Sequence, residues 1–127
     1  MESEKNMFVI HRRLPSLNDY TNANRSHWSK GARLKKETEQ DIAWEIVAAL
    51  RTGTLHPVTE LAFITFEWHE SDDRRDLDNI FSAKKFILDA MQQMRIIVND
   101  NRKYICGMKD LIVDDSSDFV RVYIETL

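Results

Sequence analysis

One cysteine, two prolines and three glycines in 127 residues exclude several kinds of protein at once. Cys106 cannot form an internal disulfide, which fits a reducing cytoplasm and removes any thiolate metal cluster. Gly31, Gly53 and Gly107 are scattered, so there is no Gly-rich loop of the kind that cradles nucleotide phosphates. The longest uncharged run, residues 52–59, contains Gly53, Pro57 and three threonines. It falls far short of the roughly 20 apolar residues of a membrane span, and Met1 to Lys5 does not begin a signal peptide, so a cytoplasmic chain with no membrane partner is expected. His11, His27, His56 and His69 show no paired ligand spacing, which argues against zinc.

What is present suits one globular domain spanning 1–127. Apolar residues at 43% and charged residues at 31% can bury a real core, folding alone or as a dimer. The net charge of −3 argues against a protein that coats nucleic acid by bulk charge, but the charge is segregated along the chain. From His11 to Lys36 seven basic residues face one acid, Asp19. Thr52 to Asp73 has five acids and no Lys or Arg, and Arg74 to Lys103 has seven basic residues against four aspartates. A basic surface around a small acidic site suits a phosphate backbone held near metal ions, although solvated helix faces produce similar patterns.

The periodicities predict an α+β domain in the order β-α-β-α-β-β. Met7 to Arg12 is β-rich, and Leu14 to Trp28, dense in Pro, Ser, Asn and Thr, reads as a loop. A helix opens at Ser29 or Lys30 and runs to about Arg51, with Gly53 where it should stop. Val58 to His69 is a strand whose Ala62, Ile64, Phe66 and Trp68 are apolar throughout, as a central strand requires. Asp78 to Met94 is a second helix, with Ile80, Ala83, Ile87, Ala90, Met91 and Met94 on one side and a candidate dimer face there. Lys103 to Val113 and Asp118 to Glu125 are strands joined by a turn, and the sheet order does not follow from this pattern.

The informative stretch is Asp72-Asp73-Arg74-Arg75-Asp76-Leu77-Asp78-Asn79. In extended backbone Asp76 and Asp78 share a face while Leu77 turns to the core, so two carboxylates converge. Mg²⁺ takes oxygen ligands and usually one or two carboxylates with waters and substrate phosphate. Asp100, in the turn Val98-Asn99-Asp100-Asn101, is the candidate third acid. The bland readings are Asp78 as a helix N-cap, Asp76 as a solvated acid and Asn99-Asp100-Asn101 as ordinary turn chemistry. With the helix starting near Asp78, Lys85 shares the face of Asp78, where it can reach a phosphate in the transition state, while Lys84 points about 120° away. An i,i+4 salt bridge from Lys85 to Asp89 is the competing use of that lysine.

These segments together resemble the RusA-like crossover junction endodeoxyribonucleases, Holliday-junction resolvases of bacterial and prophage genomes. The resemblance rests on Arg75-Asp76-Leu77-Asp78-Asn79, Lys84-Lys85-Phe86-Ile87-Leu88-Asp89-Ala90, Ile97-Val98-Asn99-Asp100 and Arg102-Lys103-Tyr104. Upstream, Leu14-Pro15-Ser16-Leu17-Asn18-Asp19-Tyr20 and Ser29-Lys30-Gly31 are similar to the family's Pro-Asn loop and the start of its first helix. Several motifs in one order are more specific than any alone. The spacing from Asn79 to the lysines is longer than in the shortest members, and Asn99 stands where many relatives carry a further aspartate.

The resemblance implies a homodimer that binds four-way junction DNA and uses Mg²⁺, or Mn²⁺ in its place, to nick two opposed strands in recombination and repair. Asp76, Asp78 and Asp100 match the catalytic, metal-holding aspartates, and Lys85 matches the essential lysine, with Lys84 competing. Arg12, Arg13, Asn18, Arg25, Lys30, Arg33 and Lys84 are the expected DNA contacts. Tyr20 or Trp28 can stack on an unpaired base or serve as core aromatics. One site per small chain cannot cut two strands at once, so a two-fold dimer is the simplest arrangement. The rivals are a non-catalytic branched-DNA-binding protein on the same fold and a nucleotidyltransferase, the latter disfavoured by the missing glycine loop.

Overall fold

The computed structural model describes residues 5–26 and 28–127, apart from the side chains of Leu17, Ser26 and Trp28. The readings made of Met1 to Glu4, of His27 and of the Trp28 side chain fall outside the described residues. The elements are β1 (Asn6–Ile10), α1 (Leu17–Ser26), α2 (Trp28–Thr52), β2 (Ala62–Glu70), α3 (Leu77–Phe81), α4 (Lys84–Gln93), β3 (Ile105–Asp114) and β4 (Phe119–Thr126). With α3 and α4 taken as one broken helix, the order is β-α-α-β-α-β-β in a single α+β domain.

The extra helix, α1, occupies most of the segment expected to be a loop. Ser16 and Asp19 form a reciprocal capping box: the Asp19 N–H donates to Ser16 Oγ at 3.2 Å and the Ser16 N–H to Asp19 Oδ2 at 2.8 Å. The Asn and Thr residues read as turn formers therefore lie inside a capped helix. Gly31, near the start of α2, lies so close to Asn24 that a Cβ there would collide with its side chain, so small size sets how closely α1 and α2 approach.

The four strands form one mixed sheet in the order β1-β4-β2-β3. β4 pairs antiparallel with both β1 and β2, whereas β3 lies parallel to β2 and needs the α3–α4 crossover to return. β2 is central as expected, with Ala62, Ile64, Phe66 and Trp68 all buried. They meet Phe8 and Ile10 of β1, Val120, Val122 and Ile124 of β4, and Ile42 and Ile46 of α2 in one core. The apolar side of the second helix enters the same core: Ile80, Ala83, Ile87, Ala90 and Met91 are buried, so the dimer face expected there is occupied within the chain.

That helix is also not continuous. The Ser82 N–H still reaches Asp78 C=O at 3.0 Å, but Ala83 donates to Ile80 and Phe86 to Ala83, tightening the backbone to i→i−3 bonds. A break at Ser82-Ala83 disrupts the helical register from Asp78 to Lys85, so their shared face cannot be argued from spacing. Helices α2 and α4 both end in the six-residue pattern in which the second residue past the cap bonds back to the third-last helical carbonyl. After α2, Thr54 donates to Ala49 and Gly53 to Leu50, with Gly53 at φ 80°. After α4, Ile96 donates to Met91 and Arg95 to Gln92, and Arg95 holds φ 58° without being glycine.

Candidate functional site

Two of the predicted acids, Asp76 and Asp78, lie where β2 ends and α3 begins. Glu70, the last residue of β2, and Arg75 are buried together, with side chains 8% and 13% exposed, and share three hydrogen bonds of 3.0–3.2 Å. Arg75 Nη1 also donates to Leu14 C=O at 3.1 Å, and Asn18 Nδ2 to Asn79 Oδ1 at 2.8 Å. The amino-terminal Pro-Asn segment and the Asp76-Leu77-Asp78-Asn79 segment, about sixty residues apart in sequence, are thus clasped at two points.

Within that clasp the local geometry differs from the extended reading. Asp76 is the N-cap residue of α3, with φ −66° and ψ 153°, and its side chain makes no capping bond. Helix begins at Leu77, which is 55% exposed rather than turned to the core. Residues two apart on a helix diverge by about 200°, so the pleat that would aim Asp76 and Asp78 together is absent. Both carboxylates are exposed. Asp100 follows α4 and forms an ion pair with Lys85, Nζ to Oδ2 3.6 Å, while the same ammonium lies 2.9 Å from Asp89 Oδ1. The structure therefore joins Lys85 with Asp100 and realises the i,i+4 bridge as well. Among the described residues no three His, Cys, Asp or Glu side chains form a group that could hold a metal ion, so Asp76, Asp78 and Asp100 are not gathered into a ready-made cluster.

The two competing lysines occupy different surroundings. Lys84 turns onto the sheet, 2.6 Å from Asp110 Oδ2 and 5.3 Å from the Phe66 ring centroid, and Trp68 Nε1 donates to the other Asp110 oxygen at 3.0 Å. Lys85 is 68% exposed. The hydrogen bond to Asp89 raises its ammonium pKa above the ordinary lysine value; burial opposes this, and the charges of Asp89 and Asp100 reinforce it.

Glu39 of α2 lies within the electrostatic reach of Lys85 and Asp89 and was not singled out in the sequence. It is buried, accepts from Gln93 Nε2 at 2.9 Å, and burial raises its carboxyl pKa, with Lys35 opposing and Asp89 adding to the rise. Its sequence signal was a carboxylate within the apolar stripe that includes Ile42 and Ile46. Glu70 and Asp110 were also missed, because each depends on a cation brought by the fold.

Of the expected DNA contacts, Arg13, Arg25, Lys30 and Arg33 are exposed, as is Asn18. Arg12 is ion-paired with Asp41 of α2, and the ammonium of Lys84 faces Asp110. Tyr20 packs edge-on against Phe86, with ring centroids 6.4 Å apart, as a core aromatic does. A separate open cleft of about 1100 Å³ lies between residues 56–60 and Thr65, Glu67, Lys109 and Tyr123, and includes none of the predicted site residues. No described helix is long and apolar enough to cross a membrane. The chain matches no model of a known protein family and no curated protein.

Proposed function

We propose that the chain is a divalent-metal-dependent, structure-selective endodeoxyribonuclease that resolves four-way DNA junctions as a homodimer, on a RusA-like pattern. The observation that carries the reading is the pairing of Lys85 with Asp100, in a chain whose entry to α3, pinned by Arg75 and Asn79, presents Asp76 and Asp78 to solvent. A lysine and three carboxylates are the groups that metal-assisted phosphodiester hydrolysis uses, and the exposed basic residues Arg25, Lys30 and Arg33 provide contacts for the backbone.

The donor set fits Mg²⁺ or Mn²⁺. Asp76 and Asp78 are exposed and Asp100 is partly so, Asp76 makes no competing capping bond, and such ions keep several waters and need only one or two protein carboxylates. Asp76, Asp78 and Asp100 would hold the ion, which when bound supplies Lewis acidity to the phosphate and to the attacking water. Lys85 offers its ammonium to a non-bridging phosphate oxygen, where charge grows as water adds to phosphorus and a P–O bond breaks to leave a phosphomonoester and a hydroxyl. Asp89 holds that ammonium in place, and the Arg75–Glu70 pair keeps the acidic loop on the end of β2.

One observation favours the second reading, a branched-DNA-binding protein without activity: no three carboxylates converge among the described residues. Cleavage of a labelled four-way junction, against linear duplex of the same sequence, separates the two. Paired symmetric nicks in the junction alone, dependent on Mg²⁺ and lost in Asp78→Asn, are expected. Tight junction binding without cutting under Mg²⁺ or Mn²⁺ would establish the second reading instead.

A further inference from the structure

The two edges of the sheet are treated differently. Along β1 the Met7 N–H donates to Thr54 C=O at 2.9 Å, and the Asn6 side chain exchanges hydrogen bonds of 2.9 and 2.8 Å with the His56 backbone. Residues 54–56 thus close that edge, which is only five residues long. β3 is ten residues long and pairs with β2 alone. Among the described residues, no backbone–backbone hydrogen bond outside the β2 ladder involves residues 106–114. The strand has no proline, and its one register irregularity lies at its start, opposite Ala62 and Phe63. Leu111 and Ile112, on opposite faces of this edge, are each 37% exposed. A long open edge with apolar side chains on both faces is a template for another strand.

A second copy of the same strand fits the template. Antiparallel strands in one sheet are related by a two-fold axis perpendicular to it, and directly opposite residues share a face. The axis must then pass through a residue that faces its own copy. Through Leu111 it places Lys109 opposite the partner's Val113 and Asp110 opposite the partner's Ile112, with no like charges opposed. Moved one residue toward the amino terminus it opposes Asp110 to itself. Moved one residue the other way it opposes Asp110 to the partner's Asp114, and like charges directly opposite are destabilising.

We propose that β3 is a dimer interface at which two copies of this chain pair antiparallel about Leu111. The four-stranded sheets then join into one of eight strands with both helical layers on the same face. This rests on the nuclease reading only in that two sites on one face of a dimer suit two strands of one junction. The pairing itself needs no DNA.

The test is oxidative cross-linking of Leu111→Cys in a Cys106→Ser background, with Trp44→Cys, at a 65% exposed position of α2, as the measure of chance collision. Opposed residues of an antiparallel pair lie about 4.5–5.5 Å apart at Cα, within the span of a disulfide. The expected result is a disulfide-linked dimer for Leu111→Cys well above the Trp44→Cys level. Leu111→Lys, with an unchanged circular dichroism spectrum, should sediment as a monomer where the unmodified chain sediments as a dimer. Cross-linking no better than at Trp44, a dimeric Leu111→Lys, or a monomeric unmodified chain would each overturn the proposal. Junction cleavage is scored separately: a cross-linked dimer that does not cut leaves the interface standing and removes the nuclease, and a nuclease without the cross-link does the reverse.

Discussion

An ionised group that leaves water must be paired, and the buried Arg75–Glu70 bridge is where the acidic loop depends most on that rule. Removing one partner, as in Glu70→Gln or Arg75→Met, strands a charge and is expected to cost about 3–5 kcal/mol in urea denaturation. Lys85 makes a prediction of a different kind. Its ammonium pKa is raised chiefly by the hydrogen bond to Asp89, so Asp89→Asn should move the alkaline limb of the junction-cleavage pH profile to lower pH. Asp89→Glu should restore part of the shift. Glu39 works in the opposite sense to a salt-bridged acid. Its folded pKa is raised by burial, so the folded state holds a proton longer than the unfolded one, and stability falls as pH rises from the ordinary Glu value through the raised one. In Glu39→Gln that decline should be missing from stability measured against pH. The aspartates and Lys85 were legible as residue types in a spacing, whereas Glu39 and Glu70 were not, because each is defined by what is packed around it.

Element boundaries show where local chemistry was readable and where it was not. Gly53 marked the end of α2 in the sequence, and it holds the positive φ that the cap requires with no atom near the missing Cβ. Gly53→Ala therefore has space but the wrong backbone preference, at an expected cost of about 1 kcal/mol. Arg95 fills the equivalent place after α4 against the same preference, so Arg95→Gly should stabilise the chain by about 1 kcal/mol, read as a rise in melting temperature. No sequence signal announced that cap, since Ile96 and Met91, buried on either side of it, enforce the turn. Ser16 is the converse case: the capping-box residues were in plain view, but the Asn and Thr that follow Asp19 were weighed as turn formers, and α1 was lost.

Over the whole molecule the chain is net negative, yet exposed basic residues gather from Arg25, at the end of α1, through Lys30, Arg33, Lys35 and Lys36 in the first turns of α2. If Lys30 and Arg33 contact phosphates, replacing both by Ala should weaken junction binding and reduce the salt slope of log K by about 2, roughly one per lost contact. An unchanged slope would move the DNA to another face. Alternation along β2, helical spacing in α2 and α4, and Gly53 as a stop signal were properties of the sequence by itself, because period and cap chemistry act between near neighbours. Which strands adjoin, that Lys84 turns to Asp110 while Lys85 meets Asp100, and that Asn18 reaches Asn79 were decided only by the tertiary structure. Those contacts join residues from fifteen to sixty-one positions apart, and the parallel crossover and core packing that bring them together leave no local mark in the chain.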